Sequence, residues 1–251
     1  MPNELTKANI NLYAVLRNME ELCELDRTMY DLIQNRNLSI QFSATNGPKA
    51  LLSFKSGKCH FTRGTGKNNI KLYFKSPKHF NQLIEGTANP IPLKGFTKLS
   101  FLTKDFTKLT EKLTYYLTPT DERLKDPSYL KINTILTAYT AFYALGEIGN
   151  TDAIGKLNAS RIPDGIINIS VLNGGPSIHI IASKGHLEIK KGLASSPRAS
   201  MTFADMETTN LVLNGKIDTY TCIASEKIKM KGYIPMLDNM NKLLSQVPAF
   251  L

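Results

Sequence analysis

Apolar and polar residues alternate through Leu38, Ile40 and Phe42 and through Ile70, Leu72 and Phe74, and again through Ile167, Ile169 and Val171 and at Ile178 and Ile180. A period of two marks a strand with one face against a core. Elsewhere the apolar spacing lengthens to that of a helix. Leu12, Val15, Leu16, Met19, Leu22, Met29, Leu32 and Ile33 keep it ahead of the first strands, and Tyr129, Ile132, Leu136, Tyr139 and Tyr143 keep it ahead of the second group. Short helices are expected at residues 77–84 and 206–213, with Pro77 suited to a first turn and Gly86 and Gly215 standing where a helix stops. A further strand is expected at residues 98–102 and 227–231. Each half then closes with an amphipathic helix, striped by Phe106, Leu109, Leu113, Tyr116 and Leu117 in the first and by Met236, Leu237, Met240, Leu243, Leu244 and Val247 in the second.

The pattern occurs twice because the sequence does. Gly57, Phe61, Arg63 and Gly64 match Gly185, Ile189, Lys191 and Gly192 at a separation of 128 residues. After one inserted residue, Leu72, Phe74, Leu83 and Gly86 match Met201, Phe203, Val212 and Gly215 at 129, and Leu99 and Phe101 are set against Ile228 and Met230 at the same offset. Gly57 and Gly185 each fall between strand runs, where a tight hairpin needs positive φ. The stretch from Thr118 to Pro127 is polar, holds two prolines and is the best linker. The expected organisation is an α+β tandem repeat: residues 1–118 carry an N-terminal helix and a first domain, and residues 119–251 a linker, a helix and a second domain.

Charge sharpens the division. Residues 49–112 hold thirteen basic against three acidic residues, a net of +10, which equals the net charge of the whole chain. The first domain is therefore strongly basic, which suits an anionic ligand, an anionic membrane surface or simple solubility. The longest uncharged run, between Lys131 and Glu147, is too short and too polar for a membrane span and reads as a buried helix. Cys23, Cys59 and Cys222 are scattered singles without metal or redox spacing, and the charged, non-apolar pattern of residues 1–30 leads to the expectation of no secretory signal. A cytoplasmic location is expected.

One stretch carries a family resemblance. Leu211-Val-Leu-Asn-Gly215-Lys216, the excursion to Ile228-Lys-Met230-Lys-Gly232, and the helix from Met236 to Leu244 resemble the sterol carrier protein domain. The first copy resembles it through Phe74-Lys-Ser-Pro-Lys-His-Phe80-Asn-Gln-Leu-Ile-Glu-Gly86 and Leu99-Ser-Phe101, departing at Thr103, which is set against Gly232. The resemblance covers residues 38–117 and 165–251. It implies a mostly antiparallel sheet of about five strands in each copy, covered by helices, with an apolar cavity between the layers. It implies non-catalytic binding and intracellular transfer of fatty acids, acyl conjugates or sterol-like lipids, with no chemistry performed on them. Burial of about 25 cal/mol per Å² of ligand surface accounts for such binding without precise polar contacts. Candidate lining residues are Phe74, Phe80, Leu83, Phe101, Phe106, Leu109 and Leu113 in the first copy, and Phe203, Val212, Met230, Met236, Leu237, Met240 and Leu244 in the second. The same spacing suits a plain core, and the sequence does not separate the two. Lys71, Lys75, Lys78, Lys94 and Lys98 are placed to meet an anionic head group or bilayer, or to form a solvated face.

No reactive constellation emerges, so neither an enzyme nor a cofactor is expected. The Arg63-Gly64-Thr-Gly66-Lys67-Asn68 run lacks the glycine of a phosphate loop at Phe61 and its hydroxyl at Asn68, and reads as a hairpin turn. His60, His79, His179 and His186 show no metal-ligand spacing. Asp105 and Glu111 lie six residues apart and do not share a helix face. Nucleic-acid binding fits the basic charge but not the scarcity of arginine where that charge gathers. A scaffold built on the same fold is the alternative to lipid binding.

Overall fold

A computed structural model describes residues 3–251, which divide into two compact units on either side of the Thr118/Pro119 boundary. Unit 1 opens with α1 (Glu4–Ile10), carried through a π-helical turn (Asn11–Val15) and a 3-10 turn (Leu16–Asn18) into α2 (Met19–Leu25). Asp26 breaks this rod and caps α3 (Arg27–Ile33), its carboxylate accepting from the backbone of Thr28 and Met29. Strands β1 (Asn37–Ala44), β2 (Lys49–Lys55), β3 (Lys58–Arg63), β4 (Ile70–Phe74) and β5 (Ile91–Lys94) form one sheet in the order β3-β2-β1-β4-β5. Between β4 and β5 lies α4 (Pro77–Ile84), capped by the Ser76 hydroxyl. The chain ends the unit with α5 (Leu99–Phe101), a π-helical segment (Leu102–Phe106) and α6 (Thr107–Leu117).

Unit 2 repeats the plan. It comprises α7 (Pro127–Thr151), α8 (Ala153–Ala159), strands β6 (Gly165–Val171), β7 (Ser177–Ser183), β8 (His186–Lys191) and β9 (Ala199–Phe203), then α9 (Met206–Leu213), α10 (Thr219–Ala224), β10 (Ile228–Gly232) and α11 (Ile234–Leu244). Its sheet order is β8-β7-β6-β9-β10, the same as that of unit 1 strand for strand. In both sheets the two central strands, β1 with β4 and β6 with β9, run parallel and every other pair is antiparallel. The two hairpins are superposable in register: Ala50 faces Arg63 as Ile178 faces Lys191. Their turns, Ser56-Gly57 and Lys184-Gly185, have positive φ at both central residues, the type I′ geometry that matches strand twist.

Alternation along the strands decides which face is covered. In β4 and β9 the buried positions are Ile70, Leu72, Phe74 and Ala199, Met201, Phe203, with Lys71 and Tyr73 on the other face. Helix α7, from which residues 141–149 are all buried, lies close on β8, because Gly146 and Gly149 leave room for Ile189 and Leu187. The uncharged run is thus a buried helix.

Three expectations are corrected. The strand expected at residues 98–102 does not form; those residues are helical, and the fifth strand is β5, ending eight residues earlier than that offset requires. The matching segments are Ile91-Pro-Leu-Lys-Gly95 and Ile228-Lys-Met-Lys-Gly232, at a separation of 137 rather than 129. Unit 2 accommodates the extra eight residues around α10. Gly95, not Thr103, is therefore the counterpart of Gly232. Both have positive φ, 88° and 83°, and both press against backbone, where an added Cβ would stand 2.5 Å from the Asn69 oxygen or 2.3 Å from the Arg198 oxygen. Pro90 and Pro92 concealed β5. It is an edge strand, where a missing N–H is tolerated, and the ladder is irregular beside Pro92, between Lys71 and Leu72. Third, the Arg63–Asn68 run is no hairpin turn. It crosses from β3 to β4 past two intervening strands, held by Gln41, whose amide donates to the Gly64 oxygen and accepts from Gly66 N. Asn168 holds the equivalent crossing in unit 2 through Ala194.

Candidate functional site

The apolar candidates of unit 1 meet one another. Phe74 packs edge-on against Phe80 at 4.9 Å between ring centres, Phe80 against Phe42, and Phe106 against both Phe42 and Phe54. Phe101 lies 5.4 Å from Phe54. Leu109 and Leu113 are buried, while Leu83 and Phe106 are half-buried. The closing helix manages this contact through an unusual turn. Its buried residues Phe101, Asp105, Leu109 and Leu113 are spaced by four, a spacing that drifts about 40° per step around an ordinary α-helix. The wider π-helical turn at Leu102–Phe106 takes up part of that drift.

Unit 2 gathers a different set. Met201 and Met230 are direct cross-strand partners, and α11 buries Met236, Leu237, Met240 and Leu243 completely while packing on β9, β10, α7 and α8. Phe203 is buried, and Val212, Met230 and Leu244 are half-buried. Where unit 1 has rings in contact, unit 2 has flexible thioethers.

The five candidate lysines divide by element. Lys71 and Lys94 are paired across β4 and β5, and the Lys94 ammonium donates to the Asn68 oxygen at 2.5 Å. Lys75, Lys78 and Lys98 are exposed. Leu93 and Phe96, 51% and 63% exposed, stand beside Lys94 and Lys98 in the sequence. His79 is engaged within its own unit: its Nδ1 accepts from Lys75 N and its Nε2 bonds the Asn89 oxygen.

Several structural partners escaped the sequence pattern. Asn81 and Asn210, buried and 129 residues apart, occupy the same helical position in the two units. Asn81 donates to the Glu4 backbone oxygen and carboxylate and accepts from Asn11, whereas Asn210 donates to Asn133 and Thr134. Cys23 and Cys59, unrelated in sequence, are buried neighbours; burial and the adjoining Cys23, Glu20 and Glu21 push the Cys59 thiol well up. Asp26, besides capping α3, accepts from the Tyr116 hydroxyl at 2.9 Å and lies 3.4 Å from the Lys112 ammonium. Burial works to raise its carboxyl, but the bonds from Thr28, Tyr116 and Met29 and the Lys112 charge outweigh it and hold the carboxyl below its ordinary value.

Unit 1 also has an open pocket of about 430 Å³. The turn Asn35-Arg36-Asn37-Leu38 forms one wall, and Thr97, Lys98, Ser100, Lys104 and Asp105 form the other, with Phe101 between them. Arg36 pairs with the buried Asp105 at 2.5 Å and lies 6.0 Å from the Phe101 ring. Lys98 and Phe101 were candidates from sequence. The remaining residues of the pocket carry no signal in the sequence pattern, and the strand expected at residues 98–102 hides the helical wall.

Comparison with known proteins returns structural likeness alone. The chain is similar to a solved structure described as a UbiJ-SCP2 ubiquinone synthesis protein, at 16% identity and a TM-score of 0.35, covering 45% of this chain and 95% of that one. It is similar to the sterol carrier protein domain 2 of Helicoverpa armigera, at 20% identity and a TM-score of 0.36 over 45% of this chain and 89% of that one. It is likewise similar to Sterol Carrier Protein 2 from Yarrowia lipolytica, at 19% identity and a TM-score of 0.36 over 44% and 91%. No family model matches the chain, and no curated protein matches it. Among the described residues, no helix is long and apolar enough to cross a membrane.

Proposed function

We propose that this protein binds a lipid-like apolar molecule, without reacting it, beneath α11 of unit 2. The observation that supports this reading is a cluster of methionines: Met201, Met236 and Met240 are buried, with the half-buried Met230 paired to Met201 across the strands. Methionine is unbranched and repacks readily around varied apolar shapes. Leu237, Leu244, Phe203 and Val212 complete the proposed lining. Discrimination between chain lengths is weak in such a site, about 1–3 kcal/mol per methylene.

Unit 1 serves this reading as a docking module. Lys71, Lys75, Lys78, Lys94 and Lys98, with the exposed Leu93 and Phe96, suit transient contact with an anionic bilayer, each cation near such a surface contributing about 1 kcal/mol. A scaffold role is the second reading, favoured in unit 1 by its rings: a ligand between its layers must first part Phe54 from Phe101 and Phe106.

Native mass spectrometry of the whole chain, before and after delipidation and with added fatty acid, tests the proposal. The expected outcome is a reversible adduct of lipid mass, lost in Met240→Glu while circular dichroism of that variant matches the parent. A clean mass that ignores added fatty acid favours the scaffold.

A further inference from the structure

We infer that the pocket between the Asn35–Leu38 turn and the start of the closing helix of unit 1 is a site for a dianionic phosphate monoester group. The pocket brings three cations, Arg36, Lys98 and Lys104, to one concavity with a single carboxylate, Asp105. That carboxylate is largely buried and already paired with Arg36, so its charge is answered inside the wall. Two positive charges are left in excess, matched by a phosphate monoester, which carries close to two negative charges at neutral pH. Asn35, Asn37, Thr97 and Ser100 add neutral donors around the same space, and phosphate oxygens accept several bonds at once. Phe101 and Leu38 give the remainder of the pocket an apolar surface, suited to the carbon skeleton that bears the phosphate.

The site belongs to unit 1 alone. Residues 162–165 of unit 2, which stand where 35–38 stand in unit 1, are Ile-Pro-Asp-Gly. There the charged side chain is Asp164, which accepts from Lys184 N, while Arg198 donates to its backbone oxygen. Lys98 and Lys104 thus appear where the copies diverge, on the helical segment that occupies the residues expected to form a strand. The inference is independent of the apolar site in unit 2, and Met240→Glu is expected to leave phosphate binding unchanged.

The test is a calorimetric titration of the full chain with inorganic phosphate and glycerol phosphate, alongside sedimentation with vesicles containing phosphatidate. Lys104→Glu is expected to weaken binding about tenfold or more, as loss of a charge-assisted bond does. Lys55→Glu, an equal charge change at an exposed position on the β2 end, is expected to leave it within about twofold. Binding of the soluble monoester identifies a free phosphorylated molecule, and binding of vesicles alone, lost in Lys104→Glu, identifies a lipid head group; either upholds the site. No binding of any probe, or equal weakening by the two variants, overturns it.

Discussion

Asp26 shows how one side chain can fasten three segments. It caps α3, receives the Tyr116 hydroxyl from α6 and lies beside Lys112, so its charged form is the stabilised one. A carboxyl held below its ordinary value contributes stability that is present above the unfolded value of about 3.9 and is lost as pH falls through the folded value. Asp26→Asn should cost about 1–2 kcal/mol at neutral pH, the scale of a lost cap together with a weakened buried bond. Urea midpoints followed from about pH 7 to about pH 3 should show the gap between parent and variant closing at the acid end; a constant gap would mean that the charge is irrelevant. Asn81 and Asn210 carry a related lesson. Asn210→Ala removes the buried donor to the Asn133 amide oxygen and the Thr134 hydroxyl, and a loss of about 1–3 kcal/mol is expected in chemical denaturation. Neither asparagine was legible as a structural residue in a single sequence, since periodicity registers apolar positions and is silent about a polar side chain facing inward.

Elements were legible where one rule decided them. The alternating runs became β1, β4, β6 and β7, and the helices bounded by Pro77, Gly86 and Gly215 fall at the expected residues. The fifth strand of unit 1 was misplaced because two rules competed. Proline argued against strand at Ile91–Lys94, and the repeat offset argued for strand at Leu99, although an edge position excuses proline and an added helix changes the offset. The matching I-x-(L or M)-K-G segments held the answer, and their glycines supply a test. Gly215→Ala meets open space and should cost only about 1–2 kcal/mol for left-handed strain. Gly232→Ala adds a collision with the Arg198 backbone and should lower the melting temperature well beyond that; equal losses at the two sites would remove the close approach from the account. The candidate site was less legible than the fold. An inward apolar residue on a helix looks the same in sequence whether it fills space or surrounds it.

At the scale of the molecule, one plan has been given two surfaces. Unit 1 holds seventeen basic and nine acidic residues, a net of +8, against fourteen and twelve, a net of +2, in unit 2. Attraction to an anionic bilayer is therefore expected to reside in unit 1. Lys71→Glu with Lys94→Glu should abolish sedimentation with anionic vesicles, and raising salt to about 0.5 M should release the parent protein, because exposed charges are screened over a few ångströms there. Retention by neutral vesicles to the same degree would transfer the interaction to Leu93 and Phe96.

The eight residues by which the copies differ ahead of their last strand also have a practical side. Unit 2 spans the interval from Gly215 to Ile228 with a short helix, and unit 1 spans Gly86 to Ile91 with a bare loop, yet both sheets keep the same order. Nature has thus already performed an insertion experiment at this point of the fold. The loop after Gly86 is accordingly the place to graft an epitope or a fluorophore-binding peptide while leaving the order of the sheet undisturbed.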